Sequence, residues 1–272
     1  MLASLYQRAT RRWESFCPSC HQKRALLFAE HIDQEVLGQV PIRQYVVTIP
    51  KMLRLCFKYD RKLLGELSRC FFDSIKEIFL LAAPQAGADS AGSPYLPAMV
   101  SSVQTYDVDP TRFNPQVHCL AADGLLGSDG SFFPITQPDP VEIMLLFRHR
   151  LLRTLLAKEK ISNQVVEILF SWRHAGFSVF QGDPVSHEDH EALERLARYM
   201  AHPPVGLYRL HYDPRSSSVT YAPRNHDDCA GAHSPGALTC TALDFLAALC
   251  SYSPEAISSK SDFCDARASG SW

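Results

Sequence analysis

Residues 114–135, NPQVHCLAADGLLGSDGSFFPI, decide how this chain is read. VHCLAA (117–122) is an apolar run of strand length. Ser128-Asp129-Gly130 supplies turn chemistry and SFFPI follows it, so the stretch predicts a β-hairpin. Side chains at i and i+2 of a strand share a face. Gln116 and His118 therefore project together, and Val117 points the other way. An imidazole nitrogen and an amide oxygen placed in this way could hold a divalent cation. A lone strand histidine is more often a hydrogen-bonded structural residue.

Working outward, RQYVVTIP (43–50) is β-branched and closed by Pro50, which suits a strand, and MVSSVQTY (99–106) suits another. Asp60 could cap a long helix, because Leu63, Leu64, Leu67, Cys70, Phe71, Ile75, Ile78 and Phe79 follow at helical spacing. APQAGADSAGSP (83–94) has the composition of a mobile loop. Asp139-Pro140-Val141-Glu142 resembles a capping box that opens a helix through about Ala157, and a second helix is predicted from Ser162 to Trp172. SHEDHEALERLARYM (186–200) starts with a serine cap and acidic first-turn residues, and Pro203-Pro204 ends it. VGLYRLHY (205–212) and VTYA (219–222) read as paired strands, with Tyr208 and Tyr212 on one face. After about 226 the chain is loop-like apart from LDFLAALC (243–250). This order predicts an α+β fold with an antiparallel sheet.

Composition bounds the function. The chain has 272 residues, of which 46% are apolar and 21% charged, which excludes a mostly disordered or collagen-like chain. No apolar run approaches the roughly 18 residues of a membrane span, and the first residues lack the apolar stretch of a secretory signal. Net charge is −2, so a globally basic nucleic-acid binder is excluded. Residues 1–77 nevertheless carry 13 Lys/Arg against 8 Asp/Glu, which suits either a phosphate-facing half or a solvated helix surface. The nine cysteines are an odd number and mostly far apart, a reduced cytosolic pattern.

Three groups could carry chemistry. Cys17-Pro-Ser-Cys20-His21 could be half of a zinc site, since a structural zinc takes four ligands, or a pair of free thiols, the commoner case for a lone CxxC. Gln116 and His118 form the second group. The third is Tyr199, on the flank of the apolar stripe Leu193, Leu196, Ala197 and Met200, where its hydroxyl could reach a cleft. Arg195 and Arg198 lie within a turn of it and could grip phosphate oxygens. A flank tyrosine is also a common packing residue.

Taken together, FCPSCHQKR, YVVTIPKMLR, NPQVHCLAADGLL and EALERLARYMAHPPV resemble the insertion-sequence-91 family of transposases, rolling-circle tyrosine enzymes of the HUH type, from about Phe16 to about Cys250. The resemblance implies a ferredoxin-like antiparallel sheet with helices on one face. It also implies a partial zinc-binding segment at 1–40, a catalytic domain at 41–225 and a degenerate, disordered tail at 226–272. Tyr199 would attack single-stranded DNA at element ends and form a 5′-phosphotyrosine link. His118 and Gln116 would stand at an Mg²⁺ or Mn²⁺ site, Cys17, Cys20 and His21 at Zn²⁺, and Arg195, Arg198, Lys23 and Arg24 against DNA. The implied location is the bacterial cytoplasm, at the nucleoid, with no membrane partner.

The chain departs from that pattern in four places. Gln116 stands where the family motif has a first histidine, and Arg195 stands where two-tyrosine members carry a first tyrosine. The upstream zinc knuckle is missing, and the likeness is expected to stop after Cys250. A truncated or frame-disrupted element would look like this. Two functions are therefore expected: a nicking and rejoining transposase, or an inactive remnant that only binds DNA.

Overall fold

The computed structural model describes Lys23, Leu27, Glu30 and residues 40–106, 112–172, 175–200, 207–222 and 237–252. They divide into two compact units. In the larger, β1 (Ile42–Thr48), β2 (Leu96–Tyr106), β3 (Phe113–Leu126), β4 (Phe132–Pro134) and β5 (Ser178–Gln181) form one sheet. The order is β2-β3-β1-β5, with β4 paired on β3. β1 lies antiparallel between β3 and β5, in a register that sets Val46 opposite both His118 and Phe180. The fold is thus α+β with an antiparallel sheet, as the element order predicts.

The expected hairpin joins β3 to β4, with Leu126 opposite Phe132, and Gly130 takes a positive φ of 84° in the turn. A Cβ on Gly124 would collide with the Phe133 carbonyl and the Phe132 ring, so only glycine lets the two strands approach there. The 83–94 loop, expected to be mobile, is clasped to this turn. The Asp89 carboxylate accepts from the backbone N–H groups of Ala91 (3.0 Å), Ser93 (2.7 Å) and Ser128 (2.6 Å). Asp129 in turn accepts from the N–H groups of Ser90 (3.1 Å) and Ser131 (2.9 Å). Hydrogen bonds from the Ser128 and Ser131 hydroxyls, and then those N–H groups, hold both carboxyls below the usual carboxylate range.

The helices of this unit are α1 (Lys51–Tyr59), α2 (Leu63–Ala82), α3 (Pro140–Ala157), α4 (Asn163–Ser171) and α5 (His190–Met200). α1 has no counterpart in the expected elements. It is only nine residues long and buries two side chains, Leu53 and Phe57, too short a stripe to stand out. Asp60 follows α1 as its C-cap, and its carboxylate accepts from the Lys62 N–H. Pro140 opens α3 as anticipated, with the Asp139 side chain accepting from the Val141 N–H at 2.8 Å. The cap of α5 is Asp189, which accepts from the Ala192 N–H at 3.0 Å. Ser186 lies too far upstream and instead accepts from the Glu188 N–H in the preceding turn.

Strand alternation gives the sheet two apolar faces. On one, the fully buried Tyr45 ring meets Phe71 of α2 edge-on at 5.9 Å, and Phe71 meets Phe147 of α3 in the same way. On the other, Ile42 and Leu120 bury with Val100 and with Met200 of α5, and Leu193 and Leu196 pack against them. The expectation of helices on one face is therefore corrected: α5 covers part of the face opposite to α2 and α3. The reason is its apolar stripe, which has to be buried, and the sheet offers Ile42 and Leu120 on that side.

One buried ion pair locks the register. The Arg43 guanidinium donates to both Asp123 oxygens (2.9 and 3.0 Å) and to the Gly182 carbonyl (2.8 Å), tying β1 to β3 and to the residue after β5. Burial disfavours its charge, but the hydrogen bonds and charge of Asp123 outweigh that cost and raise its pKa.

The other unit carries a three-stranded sheet, β6 (Leu210–Asp213), β7 (Ser218–Tyr221) and β8 (Leu238–Thr241), with α6 (Ala242–Tyr252) after it. Val219, Tyr221 and Phe245 form its core. β6 and β7 pair as expected. Residues 238–252 fall in the expected tail, yet they form a strand and a helix, because Val219 and Tyr221 on β7 need an apolar cover. Tyr208 sits in a 3₁₀ turn (Leu207–Arg209) ahead of β6, so it shares no strand face with Tyr212. Among the described residues, no helix is long and apolar enough to cross a membrane.

Candidate active site

The second sheet face is divided in two. Met200, Leu193 and Leu196 of α5 cover its Ile42–Leu120 end. Toward the other end lie two cross-strand rows, His118–Val46–Phe180 and Gln116–Thr48–Ser178, given by the shared register of β3, β1 and β5. Gln116, Val46 and Thr48 are half-buried, and Ser178 and Phe180 are exposed. His118 and Tyr199 meet at the border between the covered and open parts.

The two rings pack edge-on, centroids 5.2 Å apart with 63° between planes, a favoured aromatic geometry. His118 is buried at 2% exposure, whereas Tyr199 retains 38%. The phenol is thus fixed against the central sheet without being sealed in the core. The contrast with Tyr45 is direct: that phenol lies on the other face, fully buried, and burial raises its pKa. Chain geometry explains the placement of Tyr199. The α5 stripe points Ala197 and Met200 into the core, and one residue before Met200 the helix turns its next side chain about 100° aside.

Arg195 and Arg198 lie on the same helix and are exposed. Each pairs with an acid one turn earlier, Arg195 with Glu191 at 3.6 Å and Arg198 with Glu194 at 2.6 Å. Exposed pairs of this kind contribute little, about 0.3–0.5 kcal/mol, so either arginine can exchange its partner for a phosphate at small cost. Lys23 is exposed and helical. Cys17, Cys20, His21 and Arg24 lie outside the described residues.

The donor set for a divalent cation is short. Gln116 and His118 share a face as expected, two residues apart on β3. No group of three His, Cys, Asp or Glu side chains among the described residues could hold a metal ion. A neutral amide is a weaker ligand than an imidazole. Gln116 and His118 supply two of the donors that an Mg²⁺ or Mn²⁺ ion takes.

Residues 99–260, more than half of the chain, match the family described as "Putative transposase". The chain belongs to this transposase family. The match spans β3, with Gln116 and His118, and α5, with Tyr199, so the ring contact lies within the transposase domain. It also runs through residue 260, beyond Cys250, where the likeness is expected to stop. FCPSCHQKR and YVVTIPKMLR lie upstream of it. None of the curated proteins and none of the solved structures matches the chain.

Some residues of the half-open face carried no signal in the sequence. Thr48 sits at the end of an apolar strand, and its hydroxyl lies 2.6 Å from that of Ser178. Ser178 and Phe180 belong to a four-residue strand, SVFQ, too short for its alternation to be read alone.

Proposed function

We propose that this transposase breaks and rejoins single-stranded DNA at element ends, with Tyr199 as nucleophile. The phenol oxygen attacks the scissile phosphorus, a P–O bond forms to tyrosine, and the bond to the 3′-oxygen breaks. The phenolic proton ends on the departing 3′-hydroxyl. The product is a 5′-phosphotyrosine link that keeps the bond energy, and attack by a second 3′-hydroxyl releases the enzyme with new ends joined. Arg195 and Arg198 neutralise charge on the phosphate as they leave Glu191 and Glu194. Lys23 and Arg24 would contact DNA phosphates, and Cys17, Cys20 and His21 would hold a structural Zn²⁺. The sheet is the family's ferredoxin-like HUH sheet under this proposal.

One observation supports the reading most: Tyr199 keeps exposed surface while its ring rests on His118. A second reading has its own support. Gln116 in place of a histidine, and no three-donor group among the described residues, favour a remnant that binds DNA without cutting it.

The test uses a 5′-labelled single-stranded oligonucleotide carrying an element end, incubated with the full chain and Mn²⁺. Nicking with a new 3′-hydroxyl, and its loss in Tyr199→Phe, is the expected result. DNA binding without cleavage would establish the remnant instead. Zinc content of the purified chain, lowered by Cys17→Ser, checks the N-terminal part.

A further inference from the structure

Resting on the reading of Tyr199 as the DNA-facing residue, we infer that Phe180 is a stacking platform for an unpaired base next to the scissile phosphate. Phe180 is exposed at 57%, so its ring face is open to a partner. Its position is fixed by backbone pairing. Val46 stands between it and His118 in one cross-strand row, so the exposed ring and the Tyr199–His118 contact share a face. Adjacent strands lie about 4.8 Å apart, which puts Phe180 on the order of 10 Å from His118, one to two nucleotides of extended chain.

The neighbouring row suits the same occupant. Gln116, Thr48 and Ser178 run parallel to it and present an amide and two hydroxyls, uncharged groups that hydrogen-bond phosphate and sugar oxygens without reading sequence. A ring for a base, beside hydroxyls for a backbone, is how sequence-tolerant single-strand sites are built. Duplex DNA does not fit this chemistry, because its base faces are stacked internally. β5 is short and lies at the sheet edge, so a strand can enter from the side.

The experiment is fluorescence anisotropy of a labelled 20-nucleotide oligo(dT) with the full chain, comparing wild type, Phe180→Ala, Phe180→Trp and Tyr199→Phe. Phe180→Ala should weaken binding about 5- to 150-fold, the range of one base–aromatic stack. Phe180→Trp should restore it, and a duplex of the same length should not show the difference. Because Phe180 is exposed, the variants should melt as wild type does. Equal affinity of wild type and Phe180→Ala overturns the stacking role, and so does absence of oligo(dT) binding by the wild type. Neither result touches the nucleophile, which is judged separately by covalent adduct formation. Loss of the adduct in every protein, with the Phe180 effect intact, would leave the platform standing and remove the cleavage.

Discussion

The two faces of the five-stranded sheet are built from the same three strands and end in opposite states. Beneath, Tyr45, Phe71 and Phe147 form a closed aromatic stack under two helices. Above, one helix covers part of the face, with His118 buried against the Tyr199 ring and Tyr199 and Phe180 left exposed. A phenol exists on each side, but only that of Tyr199 can meet a substrate. Residue type alone therefore says little about reactivity here. What separates the two tyrosines is the coverage each face receives, and this depends on where α5 stops.

The comparison breaks most severely at the closed face. Phe71→Ala should cost about 3–5 kcal/mol, measured by urea unfolding, because it removes a ring that contacts both Tyr45 and Phe147. Val46→Ala on the half-open face should cost much less, and equal losses would mean that both faces are packed alike. Arg43→Met should cost about 3–5 kcal/mol as well, by leaving Asp123 without its bidentate partner. A double variant that also replaces Asp123 with Leu should recover much of the loss.

Smaller effects sharpen the open side. Gln116→His places a second imidazole on the face of His118 and should raise Mn²⁺ affinity about tenfold by calorimetry. No change would mean that the two positions do not converge on a common point. The least effect is expected at the clasp of Asp89 and Asp129. Both carboxyls are held below their ordinary range, so their contribution is full above the unfolded-state value and fades as pH falls through the lowered folded-state value. The protection of the Ser90 and Ser93 amides, as the exchange rate relative to an unstructured peptide at the same pH, should therefore be lost only in strong acid; no protection at neutral pH would show that the clasp does not form.

Much of this architecture was legible from residues 114–135 and the helix stripes. The β3–β4 turn is fixed by Ser128-Asp129-Gly130, and Asp139-Pro140 starts a helix by local rules. The flank position of Tyr199 followed from the 100° step of a helix. What could not be read was decided by partners distant in sequence. Ser178 and Phe180 gain meaning only when β5 pairs with β1, some 130 residues away. The placement of α5 opposite to α2 and α3 depends on Ile42 and Leu120 being apolar on their own face, and alternation along a strand does not say what covers it. β8 and α6 were lost in low-pattern sequence because each is short and packs on β7.

The most direct measurement is mass spectrometry of the trapped DNA–protein adduct after trypsin and nuclease digestion. The peptide from Tyr199 to Arg209 contains two tyrosines, Tyr199 and Tyr208. The phosphonucleotide mass is expected on Tyr199 alone. A nucleotide on Tyr208 or any other residue, or an adduct that persists in Tyr199→Phe, would contradict it.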